Sequence, residues 1–334
     1  MTPIGVILTG GTVGQRTDAG VAVPDADSTL TLVETCRPPN VSVRVLQAMR
    51  RNSPDITPGD WSQLALAVNE CLEEGVQGVV ILHGTDTMHY TAAALSFALA
   101  GTAVPIVLTG SMSPGNDQNS DALSNLRSAF AVVAQSDLAE VCVVFSSTEQ
   151  DTIADIIRGN RAMKQRTSAA DAFRSVGLSR LGSVTPQRVS LTPPARLRPP
   201  MPAATSLRPR FSGATDIVKI TPMLTAVRLR ALLEGLQGVV LEGTGAGHVH
   251  ADHLEVIADF GRPTVLSTQV LYDAECLGMY ASDRALTSLP NVIQGGGMTS
   301  ATAVVKLSWA LGQEFDAYEI LPRDIAGELE DTFA

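Results

Sequence analysis

Hydroxyl side chains follow three apolar runs that the sequence predicts to be β-strands. Thr9-Gly-Gly-Thr12 follows the first run, His83-Gly-Thr-Asp-Thr87 the second and Thr109-Gly-Ser111 the third. In a parallel sheet the carboxyl ends of the strands lie on one edge, where ligands bind. Glycine there lets a ligand approach the backbone, and the amides that follow can hold a carboxylate or an oxyanion. A single turn of this kind is an ordinary connection between a strand and a helix. Three such turns favour a shared site that contains the hydroxyls of Thr12 and Thr85.

A hydroxyl is a weak nucleophile until a base takes its proton, so the candidate bases matter. His83 and His89 flank the second turn, where packing or capping is the more common role for a histidine. The chain has only three lysines, Lys164, Lys219 and Lys306, and its other basic residues are arginines, which stay protonated in proteins. Few residues could therefore serve as an amine base.

Several familiar catalytic patterns are absent from the sequence. There is no G-x-S-x-G, which excludes the serine triad of α/β-hydrolases, and there is no P-loop. The glycines of 243–247 lack the spacing of a dinucleotide-binding turn. His248, His250 and His253 lie where a strand gives way to a helix, so a metal site stays an alternative there, although no carboxylate pattern completes a ligand set. No cofactor and no metal are expected.

Composition limits the class of protein. The 334 residues fit one large domain or two medium ones, and 45% hydrophobic residues are ample for a sizeable core. The formal net charge of -10 argues against a general nucleic-acid binder. The thirty residues from Thr87 to Asn116 carry no charged side chain, but Gly101 and Pro105 interrupt them, so we expect a helix and a strand rather than a membrane span.

The cysteines and the N-terminal residues predict a cytoplasmic protein. No signal-peptide pattern precedes the first apolar run. Four cysteines lie far apart without a C-x-x-C pattern, which indicates reduced, buried thiols: Cys36, Cys71, Cys142 and Cys276.

Short β-branched runs alternate with helical patterns, which predicts a mostly parallel sheet covered by helices on both faces. In the first part of the chain the predicted strands are Ile4–Thr9, Val41–Leu46, Gly78–Leu82, Val104–Thr109 and Val141–Phe145, and the predicted helices are Asp60–Glu74, Met88–Ala100 and Ser120–Ala134. In the last part the predicted strands are Asp216–Thr221, Gly238–Glu242 and Thr264–Ser267, and the predicted helices are Thr225–Glu234, His250–Phe260 and Thr299–Leu311.

The character of the chain changes after Thr185. Seven prolines lie between Pro186 and Pro209, and residues 172–215 contain seven arginines and no acidic residue. Proline removes backbone donors, so this stretch is predicted to be an extended, solvated connection whose arginines pair with acidic neighbours. The less favoured alternative is that these arginines bind an anionic partner. We therefore predict an α/β protein with a larger N-terminal catalytic parallel-sheet domain over 1–185, a linker over 186–215 and a smaller C-terminal α/β domain over 216–334.

In the three hydroxyl-bearing turns described first, the sequence resembles the bacterial-type L-asparaginases, especially their cytoplasmic branch. It also resembles their relative, the amidase subunit of the archaeal glutamyl-tRNA amidotransferase. The TGGT and HGTDT motifs in this order are highly specific, and the likeness covers nearly the whole chain. Further resembling segments are Ser53–Trp61, Ser120-Asp121, Asn125-Leu126, Arg158–Arg161 with Lys164, Asp171–Phe173 and Met298-Thr299.

The resemblance implies roles for individual residues. Thr12 matches the family's nucleophile, and Thr85, Asp86 and Lys164 match its second threonine with the accompanying aspartate and lysine. Asp86 also matches the residue that grips the α-amino group of the substrate, and Ser53 the serine that holds the α-carboxylate. Three further substrate-binding positions are implied at the same turns: Gly11, Gly84 and Ser111.

One departure concerns the loop after TGGT, where the family usually carries a tyrosine that supports the nucleophile. Residues Gln15 to Thr31 contain no tyrosine, and Val21 stands about where one is expected. Pro54 replaces a polar residue beside Ser53. Either change predicts weak activity, an altered loop or a substrate other than asparagine.

The resemblance therefore implies hydrolysis of a small amino-acid amide, L-asparagine first, through an acyl-enzyme. The alternatives are an amidase for a larger or unusual amide and a non-catalytic amino-acid sensor or amidotransferase subunit; retention of the matched catalytic residues favours an enzyme. The family also implies a homodimer or homotetramer, because it closes its site with residues from a neighbouring second domain. We expect no nucleic-acid partner and no membrane.

Overall fold

The chain forms two compact units. The computed structural model describes residues 1–10, 15–18, 21–24, 26–114, 120–148, 152–200, 205–278 and 281–329. The first unit comprises residues 1–175 and 179–209, and the second comprises residues 176–178 and 210–334.

The first unit alternates strands with helices and then ends in short strands. Its helices are α1 (Ala26–Cys36), α2 (Pro58–Glu73), α3 (Met88–Ala98) and α4 (Ala122–Gln135). Its strands are β1 (Thr2–Leu8), β2 (Gln15–Asp18), β3 (Val21–Pro24), β4 (Val41–Gln47), β5 (Val79–Leu82), β6 (Ile106–Thr109), β7 (Val141–Ser146), β8 (Ala154–Arg158), β9 (Ala162–Lys164), β10 (Phe173–Ser175), β11 (Gly182–Val184) and β12 (Val189–Leu191). Short 3-10 turns span Ser53–Asp55 and Gly159–Arg161.

Eight strands of this unit form one sheet in the order β12-β11-β8-β7-β6-β5-β1-β4. Strands β4, β1, β5, β6 and β7 pair with one another in parallel, whereas the pairs β7–β8, β8–β11 and β11–β12 are antiparallel. Strands β5 and β6 are buried at every residue, which explains why they read as unbroken apolar runs rather than as alternating ones. Helix α4 packs Leu126 and Phe130 into the core on this sheet.

Helix α3 accounts for the uncharged stretch that resembled a membrane span. All but one of its eleven residues are buried, so the helix is apolar on every side because protein surrounds it. Within the described ranges, no helix is long and apolar enough to cross a membrane.

Part of the predicted linker is integrated into the first unit. Strand β12 pairs with β11, and the chain beyond it lies along Glu140, whose carboxylate accepts from the backbone N–H of Arg196 at 2.8 Å. The same carboxylate forms a buried ion pair with Arg158 at 2.7 Å. A three-residue strand produces too short a pattern to be found in a proline-rich stretch, so the sequence showed only the extended backbone.

The second unit contains a four-stranded parallel sheet in the order β13-β14-β15-β16. Its strands are β13 (Thr215–Lys219), β14 (Gly238–Gly243), β15 (Thr264–Thr268) and β16 (Val292–Gln294). Its helices are α5 (Ala226–Leu233), α6 (His253–Phe260), α7 (Ala281–Thr287), α8 (Ser300–Gly312) and α9 (Ala317–Ile320). The two sheets confirm the predicted α/β class, with a mixed sheet in the larger N-terminal part and a parallel one in the smaller C-terminal part.

Candidate active site

The three hydroxyl-bearing turns begin at one edge of the first sheet. Strands β1, β5 and β6 are adjacent and in register, with Leu8 opposite Leu82 and Leu82 opposite Thr109. Beyond the last pairs, the backbone N–H of Thr9 donates to the Leu82 carbonyl at 3.1 Å and that of His83 to the Thr109 carbonyl at 2.9 Å. The strand order thus brings these turns together, as their sequence pattern predicts.

Lys164 lies next to the second turn although it is 79 residues away in the chain. Its amine donates to the hydroxyl oxygen of Thr85 at 2.8 Å and to a carboxylate oxygen of Asp86 at 2.6 Å. The lysine side chain is 13% exposed and that of Asp86 is 59% exposed. Strand β9 positions the amine by pairing with β10, so that Lys164 stands opposite Phe173. A sheltered amine therefore contacts a buried hydroxyl beside an open carboxylate.

Ser53 contacts the same turn from a different segment. The backbone N–H of Asp86 donates to Ser53 Oγ at 3.2 Å, and the Thr87 hydroxyl donates to the Ser53 carbonyl at 2.6 Å. Ser53 opens the 3-10 turn and is buried. Four of the expected site residues, Ser53, Thr85, Asp86 and Lys164, thus meet in one place.

The remaining expected site residues are Thr12, Gly11, Ser111 and Gly84. Thr12 and Gly11 lie outside the described residues. Ser111 is fully buried, and within the described part of the chain its hydroxyl has no hydrogen-bond partner. The carbonyl of Gly84 is held by the ring of His83, whose Nδ1 lies 2.6 Å away.

A hydrogen-bond chain fixes the protonation of His83. Because the Gly84 carbonyl can only accept, Nδ1 carries the proton, and Nε2 accepts from the Thr91 hydroxyl at 2.9 Å. The Thr91 oxygen in turn accepts from the indole N–H of Trp61 at 3.2 Å. Complete burial holds the pKa of His83 at about 4, so the ring is neutral and structural at neutral pH.

His89 is the other histidine beside the turn. Burial, and after it the positive charge of Lys164, lower its pKa to about 4. A neutral ring at this position adds no charge that would repel the lysine amine. The sequence predicted packing roles for both histidines, and these surroundings agree with that interpretation.

The structure also shows site contacts that the sequence analysis did not single out. The carboxylate of Asp60 pairs with Arg51 at 2.8 Å and accepts from the backbone N–H and hydroxyl of Thr57. The pattern T-x-x-D before an apolar run is the signature of a capping box, and this signal could have identified Asp60 from sequence.

A second network supports the third turn. The Asp121 carboxylate accepts from the backbone N–H groups of Met112 and Ser113, and the Asn125 amide donates both to Asp121 and to the Gly110 carbonyl at 3.0 Å. These contacts explain why this pair of residues accompanies the T-G-S turn in the sequence.

Metal ligation finds no support among the residues that the structure describes, since they contain no group of three or more suitable side chains. The histidines that left this alternative open have protein partners instead. His248 contacts Asp283 at 2.8 Å, and His253 Nε2 lies 2.9 Å from the Leu224 carbonyl.

Comparison with known proteins agrees with the motifs. The family model described as asparaginase, N-terminal, matches residues 3–196, and the glutaminase/asparaginase C-terminal domain matches residues 215–321. A glutamyl-tRNA(Gln) amidotransferase subunit of Halobacterium salinarum is 37% identical and aligns over 98% of this chain and 79% of its own length. L-asparaginase of Thermococcus kodakarensis is 34% identical over 97% of this chain and 98% of its own length.

Solved structures are similar over the same extent. The structure of the Thermococcus kodakarensis L-asparaginase has a TM-score of 0.88 and covers 98% of this chain and 99% of its own. L-asparaginase I of Vibrio cholerae is 26% identical, with a TM-score of 0.85 and the same two coverages. Both family models and a near-complete structural match confirm the resemblance seen in the motifs: the chain belongs to the asparaginase family.

Proposed function

We propose that this protein is an L-asparaginase that converts L-asparagine to L-aspartate and ammonia. The observation that carries the proposal is the contact of the Lys164 amine with both Thr85 and Asp86, beside Ser53. A lysine, a hydroxyl and a carboxylate in direct contact form a proton-transfer unit. Beside it, Ser53 Oγ accepts from the backbone N–H of Asp86, so the proton of the Ser53 hydroxyl points away from the turn.

The proposed chemistry proceeds through an ester of Thr12. Its hydroxyl attacks the side-chain amide carbon, the C–N bond breaks, and ammonia leaves with the hydroxyl proton. Water then hydrolyses the ester, which releases L-aspartate and restores the hydroxyl. During the attack the unprotonated amine of Lys164, oriented by Asp86, takes the proton of the Thr85 hydroxyl while Thr85 takes the proton of Thr12, and the same relay returns that proton to the departing ammonia. Asp86 and Ser53 hold the α-amino and α-carboxylate groups of the substrate.

Release of ammonia across a panel of amides tests the proposal. We expect asparagine to be hydrolysed faster than simple aliphatic amides. Thr12→Ala removes one hydroxyl and should abolish turnover while the protein stays folded. Retention of more than about a tenth of the wild-type rate, a barrier change below about 1.4 kcal/mol, would contradict the role of Thr12 as nucleophile.

A second candidate, an amidase for a larger amide, is favoured by Val21. Valine cannot donate or accept a hydrogen bond, so it cannot support the nucleophile as a tyrosine would. One hydrogen bond to a developing charge is worth about 1.5–3 kcal/mol, or one to two decades in rate. We therefore expect slow turnover of asparagine and an increase in kcat for Val21→Tyr. If the variant stays slow while a bulkier amide is cleaved well, the second candidate replaces the first.

A third candidate is the amidase subunit of a tRNA amidotransferase, which the 37% identity to a protein of that complex favours. The proton-transfer unit suits ammonia release in either setting. The third candidate differs in its need for partner proteins. Turnover of free asparagine by the isolated chain, without added partner proteins, would therefore support the asparaginase proposal over it.

A further inference from the structure

The segment that carries Ser53 is tied at both ends to one carboxylate. Asp60 Oδ1 lies 2.8 Å from Arg51 Nε, two residues before Ser53. Asp60 Oδ2 accepts from the backbone N–H of Thr57 at 2.8 Å and from its hydroxyl at 2.6 Å, four residues after Ser53. Each oxygen of a single side chain thus secures one flank of the serine.

The Asp60 carboxylate is a strong anchor because it is sheltered and charged. Its side chain is 5% exposed, whereas that of Arg51 is 47% exposed. Burial alone would raise the pKa of Asp60, but the Thr57 hydrogen bonds and the Arg51 charge bring that pKa below its ordinary value. Charge-assisted hydrogen bonds of this kind are about twice as strong as neutral ones.

The anchor belongs to a rigid element. Asp60 lies in the first turn of α2, which buries Leu64, Val68 and Cys71 against the rest of the unit. By contrast, the contacts of Ser53 with the second turn hold a single residue. Those contacts do not by themselves fix the path of the chain on either side of it.

We propose that Asp60 is the positioning residue for Ser53, so that it sets the affinity for the α-carboxylate of the substrate without taking part in the chemistry. This inference rests on the proposed function and deepens it. Without the Asp60 bonds the two flanks are held less firmly, so substrate binding must order them further, which raises KM. The contact between Lys164 and Thr85 does not involve Asp60, so kcat is preserved.

The test compares Asp60→Asn with a matched control on the same helix. Glu70→Gln removes an exposed carboxylate that pairs with Arg44, far along α2 from the Ser53 segment. This control should leave KM and kcat unchanged. For Asp60→Asn we expect KM for asparagine to rise about 10-fold or more with kcat within about twofold, the pattern of lost uniform binding.

A second variant keeps the inference testable if Asp60→Asn does not fold. Arg51→Gln changes a half-exposed side chain and should raise KM in the same direction. The double variant should raise KM by less than the product of the single effects, because both changes break one interaction.

The outcomes separate this inference from the proposed function. Wild-type protein that releases no ammonia from asparagine would contradict the proposed function itself. An active wild type together with an Asp60→Asn or Arg51→Gln variant of unchanged KM would overturn the positioning role. A variant that lowers kcat and leaves KM unchanged would overturn it as well.

Discussion

At the scale of single residues, the proposed chemistry depends on the amine of Lys164. It is one of three lysines in the chain, and it is the one whose amine contacts both Thr85 and Asp86. Lys219 pairs with Glu242, and Lys306 forms a fully buried pair with Glu328, so those two lysines have other partners. Position rather than residue type separates the candidate base from the other lysines.

Lys164→Met keeps the length of the side chain and removes the amine. Because general-base catalysis is worth about 10²–10⁴ in rate, we expect kcat for asparagine to fall at least about 100-fold. Steady-state ammonia release measures this loss. Arg180→Met is the control, since it removes an exposed guanidinium that pairs with Asp155 in the same unit and should leave kcat unchanged. Normal turnover by Lys164→Met would show that the lysine is only an ion-pair partner.

The buried histidines predict how stability depends on pH. His83 and His89 have pKa values of about 4 in the folded protein, against about 6.5 in an unfolded chain. Between these values the unfolded state binds the extra protons, so the free energy of unfolding falls as pH drops from about 6.5 toward 4. Each histidine adds a slope of up to about 1.4 kcal/mol per pH unit.

Urea unfolding at several pH values measures this slope. His89→Gln removes one of the two groups and should make the fall between pH 6.5 and 4 less steep. His250→Gln changes an exposed histidine of the second unit and serves as the control. Equal slopes for wild type and His89→Gln would contradict the assignment of His89 as a buried neutral ring.

At the scale of elements, the long parallel strands and their helices could be predicted, whereas the short antiparallel strands could not. The predicted helix over 60–74 is α2, and its Thr57-Pro58 start is confirmed by the capping box. Strands β9 to β12 have three residues each, which is too few for an alternating pattern. Lys164 lies on one of them, so no local pattern placed its amine beside Thr85, and only the family resemblance did. The expected roles of all the site residues stay predictions, and Thr12 and Gly11 lie outside the described residues.

The turn after β1 lies close to the backbone of the Arg51 segment. Gly10 has φ +105°, and a Cβ there would lie 2.4 Å from the carbonyl oxygen of Arg51. Gly10→Ala therefore combines backbone strain with a clash against backbone that cannot rotate away. Gly101 also has a positive φ, +79°, but a Cβ there would meet nothing within 4 Å.

This pair of glycines makes a controlled comparison. Gly101→Ala carries only the strain of a left-handed backbone, about 1 kcal/mol, and Gly10→Ala should cost at least about twice as much. Gly10→Ala should also raise KM for asparagine, since it displaces the segment that carries Ser53. Denaturant midpoints measure the stability of both variants. Equal losses would show that β1 and the Arg51 segment are not in tight contact.

At the scale of the whole molecule, the exposure of the site is informative. Asp86, the proposed grip for the α-amino group, is 59% exposed in the single chain. An enclosed site strengthens the electrostatic contacts between the protein and its substrate, and an open carboxylate lacks this enclosure. The family resemblance implies what covers Asp86: in that family, residues from the second domain of a neighbouring copy close the site.

We therefore expect the active protein to be a homodimer or homotetramer. Light scattering at micromolar concentration should give a mass of at least twice the 35.1 kDa of one chain. Dilution of the protein toward the dissociation constant of the oligomer should lower the ammonia released per chain, because separated copies leave Asp86 exposed to solvent and the site open. Added sucrose, which strengthens burial of surface, should restore part of that rate at the same dilution. An active species with a mass near 35.1 kDa and a rate per chain that does not change with concentration would rule out closure by a second copy.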